Sequence, residues 1–590
     1  MEWDLSNYYK TYDDFKSELK NAFSIIDEAK NCKGKLNDEK VFKKYLDLQI
    51  EVVGRYEKLY LYANCVMDKD RRNTKALSDM QEVMHLFQEY EEATSFQDSE
   101  ILSLGEEYVF NTIKKYKELG QFEYYLRDLF RIKEHTVSEA EQKIIANYSP
   151  LSGCGRDLYA SLTNGDYKES KITLNDGTIV DVNGSNWTKL IADSKDKDER
   201  KKIFEAEFIR YANYKNTYAS IYSAVLKADI ALSKSKGFNN ALEMHLYRNN
   251  IPVSLYHNLI NIAHEAAPSV KKYYELKRKE FGLDKIHTYD RFLDLRVDDD
   301  SKSYSYDEAR ELFYKSIDKF DDEFKEFAHE AVKDGYVDVM PSVGKRGGAY
   351  SNSTANTHPC ILLNFNGTLD SCFTLAHEAG HSTHSLFSNK YQPTMTQGYV
   401  IFVAEIASTF NEHNLLDYLL NSGTLSNNEK IRLIQNALDG ILSTFYRQTL
   451  FAEYEYLAHT MAENGEAITE ESLSNIMIKL YDQYYGIDIN DEVYKKYVWA
   501  YIPHFFNSPY YVYQYATSYS ASLAIYDKVK NNEKDAFKNY LELLKSGGSD
   551  YPIELAKKAG VDFTKADCLK GVVKRFDELY NELEALLSNK

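Results

Sequence analysis

The sequence predicts a mainly α-helical protein with one small β-sheet, and three observations support this fold class. First, turn-forming residues are scarce, because only 26 glycines and 9 prolines occur among 590 residues. Second, apolar residues recur at spacings of three and four over long stretches, which is the periodicity of a helix that buries one face. Third, apolar residues make up 43% of the chain, enough for a large buried core, which excludes a disordered protein.

The first half of the chain is expected to be helical apart from one hairpin. Residues 12–130 show the helical spacing with almost no glycine or proline, so a set of long packed helices is predicted there. A break is predicted at 149–153, a Ser-Pro-Leu-Ser-Gly segment. Two β-branched segments, 172–174 and 178–180, flank an Asn-Asp-Gly turn and predict a β-hairpin. Helical periodicity then resumes near residue 198.

A second group of strands is predicted directly before the segment that carries most of the candidate catalytic residues. Residues 336–340 and the apolar run 360–365 have the length of strands, and glycines are concentrated between them at 344–348. After a turn at 366–367 the helical pattern returns and continues, with short interruptions, to the end of the chain. The sequence thus predicts a small sheet next to this segment.

The composition disfavours nucleic-acid and membrane partners. The 72 basic against 91 acidic residues give a net charge of −19, and an acidic surface repels phosphate backbones. No apolar run approaches the roughly 20 residues that span a bilayer, and the N-terminus lacks the features of a signal peptide. The six cysteines include no CxxC pair, as expected in a reducing compartment. A cytoplasmic location is therefore predicted, while the oligomeric state is left open.

An HExxH motif begins at His377. His377 and His381 are four residues apart, so a helix presents both rings from one face to a single ion. Glu378 flanks them, where its carboxylate can take a proton from water that a metal activates. With 14 histidines in the chain, a chance match would arise in roughly a few per cent of such chains. The motif therefore predicts a zinc site with Glu378 as the general base.

A catalytic zinc needs a third protein ligand, and two candidates compete. His384 lies roughly 10 Å along the helix axis from His377, too far to share a tetrahedral ion unless the helix breaks. Glu405 is the better candidate, because it is a lone acid in an apolar helical run and a buried carboxylate is costly without a cation. Glu412 shares the helix face of Glu405 and is expected to orient a ligand histidine. Gly380 disfavours a helix by about 1 kcal/mol and predicts that another backbone packs closely there.

Several longer segments carry a family resemblance. They are WDLSNYY at 3–9, GAYSNSTANTHPCILLNF at 348–365, HEAGHSTHS at 377–385, EIASTFNEH at 405–413, RQTLFAEYEY at 447–456 and HFFNSPYYVYQYATSYSAS at 504–522. In these segments the sequence resembles the M3 family of zinc oligopeptidases, and in particular its oligoendopeptidase F branch. The resemblance extends over nearly the whole chain in the same order, so it is far more specific than HExxH alone.

The resemblance implies a complete active site. One zinc ion would be held by His377, His381 and Glu405, with Glu378 as the general base. The implied fold is a helical, clam-like body with a zincin-like site deep in a channel. Such a channel would admit short peptides and exclude folded proteins.

The resemblance also divides the chain into three regions. The first is an N-terminal helical region at 1–110. The second, at 111–195, is an oligopeptidase F-type N-terminal subdomain that contains the β-hairpin. The third, at 196–590, is the M3-type catalytic region with HExxH.

The C-terminal motif, residues 504–522, contains side chains that are candidates for contacting the substrate. Residues 503–509 are predicted to form a loop before the first turn of a helix. Tyr511 and Tyr515 are four residues apart with His504 upstream, and a phenol or an imidazole can donate a hydrogen bond to an oxyanion. In the family, a histidine and tyrosines of this region contact the substrate and the tetrahedral intermediate, which implies a catalytic role for His504. Spacing alone does not choose among Tyr511, Tyr513 and Tyr515.

The predicted activity is the hydrolysis of internal bonds in short oligopeptides. An edge strand at 361–365, or one near 349–350, is expected to bind the peptide backbone as an added strand. The nearest alternative is an exopeptidase of the same family that removes dipeptides from a C-terminus, although no residue indicates a group that fixes a terminal carboxylate. An acidic helical protein that binds peptides without cutting them is a second alternative, and the intact Glu378 argues against it.

Overall fold

The computed structural model describes residues 2–295 and 302–588. Helices dominate it, which confirms the predicted fold class. None of the described helices combines the length and the hydrophobicity that a membrane-spanning helix needs. The described residues divide into two compact units. The first unit contains 2–134, 302–421 and 521–562, and the second contains 135–295, 422–520 and 563–588.

Residues 2–295 form fourteen α-helices and a two-stranded hairpin. The helices are α1 (Tyr12–Ala22), α2 (Ser24–Lys30), α3 (Glu39–Lys69), α4 (Thr74–Thr94), α5 (Gln97–Leu104), α6 (Glu106–Lys115), α7 (Glu123–Arg131), α8 (Glu139–Ala160), α9 (Trp187–Asp193), α10 (Lys197–Asn213), α11 (Lys215–Ser235), α12 (Ala241–Tyr247), α13 (Val253–Glu265) and α14 (Ala267–Glu280). The strands of the hairpin are β1 (Ser170–Thr173) and β2 (Ile179–Val182). The packed helices predicted at 12–130 are confirmed by α1–α7.

Residues 302–588 form thirteen α-helices and the second sheet. The helices are α15 (Tyr306–Ile317), α16 (Asp322–Ala331), α17 (Leu369–Tyr391), α18 (Ile401–Asn421), α19 (Asn427–Ile441), α20 (Arg447–Glu463), α21 (Glu470–Tyr485), α22 (Val498–Tyr501), α23 (His504–Asn507), α24 (Tyr513–Lys530), α25 (Ala536–Lys545), α26 (Pro552–Lys558) and α27 (Asp567–Ser588). The strands are β3 (Val337–Asp338), β4 (Tyr350–Asn352) and β5 (Cys360–Leu362).

The first unit shows why these residues form helices. In α3 the side chain of Asp38 accepts hydrogen bonds from the first backbone N–H groups, which caps the helix at its start. Its apolar residues then recur at helical spacing, and Phe42, Tyr45 and Leu59 are fully buried. The helix therefore buries one continuous face in the core of its unit.

The predicted break at 149–153 is wrong, because α8 continues through Pro150. Tertiary packing explains the difference. Gly155 of α8 packs against α11, where a Cβ atom at this position would lie 2.6 Å from Cγ2 of Val225. Gly155, two residues beyond this segment, therefore permits close helix packing.

The predicted hairpin is confirmed. β1 and β2 pair antiparallel, with Ser170 opposite Val182 and Thr173 opposite Ile179. Gly177 in the turn has a φ of +88°, a backbone conformation that glycine adopts without strain.

The second sheet lies immediately before α17 in the chain and has the strand order β3-β5-β4. β5 pairs with β3 in parallel and with β4 antiparallel, so it is the central strand. The prediction that 361–365 is an edge strand is therefore wrong. The alternative, an edge strand near 349–350, is confirmed by β4. The N-terminal segment supports this sheet, since the indole N–H of Trp3 donates to the carbonyl oxygen of Ile361 over 2.8 Å.

Candidate metal centre

Two helices of the first unit, α17 and α18, carry the predicted metal ligands and pack closely together. α17 begins after Thr368, whose side chain accepts a hydrogen bond from the backbone N–H of Ser371. A Cβ atom at Gly380 of α17 would lie 2.5 Å from the carbonyl oxygen of Ala407 in α18. Only glycine permits this approach, so the predicted close backbone contact is confirmed.

The structure brings three of the candidate ligands together. His377, His381 and Glu405 each offer one ligand atom, and these atoms all lie within 4.8 Å of one another. Nε2 of His377 lies 3.5 Å, and Nε2 of His381 3.6 Å, from Oε2 of Glu405. Ligand atoms bound at about 2.1 Å to a tetrahedral ion are about 3.4 Å apart, so these spacings fit one such ion. Within residues 2–295 and 302–588 no other group of histidine, cysteine and acidic side chains has this arrangement.

Polar side chains of α18 hold two of these residues in place. Glu412 is hydrogen-bonded to Nδ1 of His377, which leaves Nε2 of that ring facing Glu405. Ser408 donates from its hydroxyl to Oε2 of Glu405 over 3.0 Å. Partners of this kind fix the tautomer and the orientation of metal ligands. The two helices therefore supply both the ligand atoms and the groups that orient them.

The electrostatics of this group favour a cation. Burial opposes protonation of His377, but the hydrogen bond and the negative charge of Glu412 raise its pKa to about 9. Burial and the charge of His377 lower the pKa of His381 to about 4. Because metal ions bind the neutral imidazole, a metal at this position would replace the proton on His377.

Glu378 lies beside the three ligand residues with one oxygen unsatisfied. Its side chain is only 6% exposed, and Oε2 has no hydrogen-bond partner among the described residues. Burial raises its pKa to about 7, although the charge of His377 and a hydrogen bond from the backbone of Ser351 act in the opposite direction. A carboxyl group with a pKa near neutrality is suited to accepting and returning a proton. The unsatisfied oxygen is a place for water or substrate to bind.

The edge strand β4 and a cavity border this group. The hydroxyl oxygens of Ser351 in β4 and Ser382 in α17 are 2.8 Å apart, which ties the strand to the helix. A cavity of about 570 Å³ opens beside the strand. Its walls include Asn352, Ser353, Thr354, His381, Tyr399 and Glu405. A space in the size range of ligand pockets thus reaches two of the three ligand residues.

His384 is not part of the ligand group. It is fully buried and stacks on Tyr399 with ring centroids 3.8 Å apart. Neither ring nitrogen has a hydrogen-bond partner in the part of the chain that the structure describes. Burial lowers its pKa to about 3, so the ring is neutral. The structure therefore packs His384 as an uncharged aromatic ring.

In the second unit, the C-terminal motif brings His504 together with two of the three candidate tyrosines. The ring of His504 lies 5.9 Å from that of Tyr511 and 6.1 Å from that of Tyr515. The two tyrosine rings are 5.6 Å apart, and both side chains are half-buried. Tyr513 is instead 3% exposed and packs against Tyr256. The structure therefore separates Tyr513 from the other two.

The segment 503–509 is not wholly a loop, as the sequence predicts, because it contains the short helix α23. Pro503 directly precedes this helix, at a position where the missing backbone N–H of proline costs no helical hydrogen bond.

Sequence reasoning missed Glu455 of α20, which hydrogen-bonds to the backbone of Tyr510, just before the candidate tyrosines. The backbone N–H of Tyr510 donates to Oε1 of Glu455 over 3.0 Å. Tyr510 has a φ of +55°, a conformation that is unfavourable for a bulky residue and needs support. The signal that singles out Glu405, a lone acid within an apolar helical run, is absent at Glu455, because Glu453 lies two residues before it. Spacing alone would therefore not have found Glu455.

A helix that bears HExxH, a second helix that bears a glutamate ligand and a short sheet whose edge strand borders them define a zincin-like metallopeptidase. Comparisons with known proteins agree. The sequence profile of Peptidase family M3 matches residues 190–572, and that of Oligopeptidase F matches 100–168. The chain therefore belongs to peptidase family M3, and the predicted family is confirmed.

Individual relatives match over nearly their whole length. The chain is 34% identical to oligopeptidase PepF of Bacillus subtilis strain 168, over 99% of this chain and 87% of that protein. It is 32% identical to group B oligopeptidase PepB of Streptococcus agalactiae, over 100% of this chain and 97% of the relative.

Solved structures agree with these matches. The crystal structure of oligoendopeptidase F from Enterococcus faecium superposes with a TM-score of 0.77 at 29% identity, covering 98% of this chain and 99% of that one. The crystal structure of a Chlamydophila abortus protein superposes with a TM-score of 0.89 at 32% identity, covering 99% of this chain and 98% of that one.

Proposed function

We propose that this metallopeptidase is a zinc-dependent endopeptidase that hydrolyses internal bonds of short oligopeptides. The observation that carries the proposal is the convergence of His377, His381 and Glu405 beside the unsatisfied carboxyl oxygen of Glu378. The relatives are named oligopeptidases and oligoendopeptidases, which supports short peptides as substrates. Two histidines and one carboxylate are a ligand set typical of catalytic zinc.

The side chains around the proposed zinc site each have a chemical task. Zinc, when bound by His377, His381 and Glu405, supplies Lewis acidity that polarises a carbonyl group and makes water a stronger acid. Glu378 takes a proton from the attacking water and returns it to the leaving amine, for which a pKa near neutrality is suited. Glu412 keeps the ring of His377 in one tautomer.

The edge strand β4 is proposed to bind the peptide backbone. Its outer edge is unpaired within the three-stranded sheet, and the cavity of about 570 Å³ lies beside it. A peptide that adds to this edge as a further strand would gain affinity from main-chain hydrogen bonds, with little dependence on its side chains. Ser351 links this strand to α17 and to Glu378. Binding of the backbone at β4 would therefore align the scissile bond with the proposed base.

His504, Tyr511 and Tyr515 remain proposed substrate contacts, on the basis of the family resemblance. Their rings form one cluster, and both tyrosines are half-buried. Tyr513 is not retained, since its side chain is buried in the core of the second unit.

A panel of quenched fluorescent peptides tests the proposal. The panel contains one internal sequence with free ends, with a blocked N-terminus, with a blocked C-terminus and with both ends blocked. We expect the doubly blocked peptide to be cleaved at an internal bond, as judged by mass spectrometry of the products. Glu378→Gln protein purified in parallel is the control for a contaminating peptidase. Cleavage that requires a free C-terminus would instead identify a dipeptidyl carboxypeptidase, and binding without cleavage a peptide carrier.

A further inference from the structure

The second unit contains a cavity of about 190 Å³ that is lined by positive charge and shares no lining residue with the metal centre. Three cationic side chains face it: Arg291, Arg447 and Lys495. They come from widely separated parts of the sequence. Much of the remaining wall is aromatic and includes Trp187, Phe204, Phe208, Tyr481, Tyr485 and Tyr501. We call this space the cationic cavity.

Among the described residues, no acid forms a salt bridge with any of the three cations of the cationic cavity, since no carboxylate oxygen lies within the salt-bridge distance of 4.0 Å. The acid whose charge acts on Lys495 is Glu492, but its carboxylate accepts hydrogen bonds from the backbone N–H and the hydroxyl of Thr288. The cavity wall therefore has an excess of positive charge.

Buried cations elsewhere in the same unit are paired. Nε of Arg200 lies 3.0 Å from Oδ1 of Asp290, and both side chains are buried. Nζ of the fully buried Lys277 lies 3.2 Å from Oδ2 of Asp439. Arg200 and Lys277, which serve only the packing of the unit, thus have acidic partners. The cations of the cationic cavity differ because they face an open space instead of an acid.

Leaving these charges uncompensated is unfavourable. Burial and the nearby guanidinium of Arg291 lower the pKa of Arg447, and burial lowers the pKa of Lys495 to about 7. Aromatic rings give partial compensation, since the guanidinium carbon of Arg291 lies 4.4 Å from the ring centre of Phe292 and that of Arg447 4.9 Å from Phe451. A ring attracts a cation but does not neutralise it, so an anion would be stabilised in this space.

We propose that the cationic cavity binds one small oxyanion with two negative charges, of the phosphate or dicarboxylate class. Guanidinium groups present paired N–H donors that match the oxygens of phosphate and carboxylate. Aromatic walls exclude water and strengthen the attraction between buried charges. The volume of 190 Å³ equals about six water molecules, which suits a small oxyanion and is below the range of drug-sized ligands.

The experiment is thermal unfolding and titration calorimetry of the full-length protein with two probes, inorganic phosphate and malonate. Chloride at matched ionic strength is the reference, because phosphate also stabilises proteins without binding to a site. The variants are Arg447→Gln, Arg291→Gln and, as a matched control, Arg156→Gln. Arg156 lies on α8 of the same unit with its side chain 62% exposed.

We expect wild type and Arg156→Gln to bind one of the probes with a stoichiometry of one and to show a saturable rise in melting temperature. Arg447→Gln and Arg291→Gln should each weaken binding by about 10–100-fold, since each removes a hydrogen bond between two charged groups. If Arg447→Gln does not fold, Arg291→Gln alone decides the test. Equal shifts in wild type and the folded cavity variants would overturn the proposal, as would the absence of calorimetric binding of both probes in the millimolar range.

Discussion

The metal centre of the first unit and the cationic cavity of the second unit contain opposite excesses of charge. At the metal centre, Glu378, Glu405 and Glu412 surround two histidines, and one carboxyl oxygen has no partner among the described residues. In the cavity, Arg291, Arg447 and Lys495 face one space, and none of them has a salt-bridge partner within the described part of the chain. Each site holds charge that its own side chains do not balance, which points to a cation in one and an anion in the other. The following predictions test this comparison, from the largest expected effect to the smallest.

The largest effect is expected from Glu378→Gln. Loss of the proposed base should lower kcat by about 10²–10⁴-fold, because proton transfer by a positioned side chain contributes that much. Metal content should not change, since Glu378 is outside the ligand group. Both quantities are measured on one preparation, by peptide cleavage and by elemental analysis. A variant that keeps the wild-type kcat would eliminate Glu378 as the base.

Glu405→Ala and His384→Ala form a matched pair on the question of the third ligand. Glu405→Ala removes one of three converging ligand atoms. It should weaken zinc binding by more than about 100-fold, which is a larger effect than the loss of a residue that only hydrogen-bonds to a ligand. His384→Ala should leave zinc affinity unchanged, because this ring packs on Tyr399 and supplies none of the converging ligand atoms. Competition with a chromogenic chelator measures both affinities, and the reverse ranking would make His384 the ligand.

Glu412→Ala should have a smaller effect on the same measurement. It removes the partner of Nδ1 of His377 while leaving all three ligand atoms, so zinc affinity should fall by about 10–100-fold. Glu466→Ala, at an exposed position, is the control. If Glu412→Ala binds zinc as tightly as the control, orientation by Glu412 contributes nothing to the site.

Glu455 provides an intermediate case, a buried acid that belongs to no metal-ligand group and forms no salt bridge among the described residues. Burial raises its pKa from 4.5 to about 8, the hydrogen bond from Tyr510 opposes this, and the charge of Asp229 adds to it. The folded state therefore holds this proton more tightly than the unfolded state, and stability is lost as pH rises from about 4.5 to about 8.

Glu455→Gln should remove that loss while keeping an acceptor for the N–H of Tyr510. Relative to wild type, the variant should gain at least about 1 kcal/mol between about pH 5 and about pH 8. Melting temperatures of the two proteins across this range measure the difference. A difference that is independent of pH would show that Glu455 stays ionised throughout.

The sequence was most informative where a site is local. His377, Glu378 and His381 are contiguous on one helix, so their spacing alone indicates that they share a face. Glu405 was identifiable because an acid in an apolar run needs a partner. Gly380, which is costly within a helix, predicted that another backbone packs closely there, and the structure identifies that backbone as α18.

The sequence was least informative where contacts depend on assembly. Strands of two or three residues, such as β3, carry too little pattern to reveal their order, so the central position of β5 could not be foreseen. Pro150 indicates a break by local rules, but the packing of Gly155 against α11 keeps α8 continuous. The cationic cavity combines residues from distant segments, and only their assembly reveals that the three cations share one space.

The most direct test of the central claim measures metal content and peptide cleavage on the same wild-type sample. The account predicts one zinc per chain. It also predicts that a chelator removes zinc and cleavage together, and that adding zinc restores both. Glu405→Ala prepared in parallel should fail to recover zinc at the concentration that suffices for wild type. Full cleavage by protein shown to be free of metal would contradict the account.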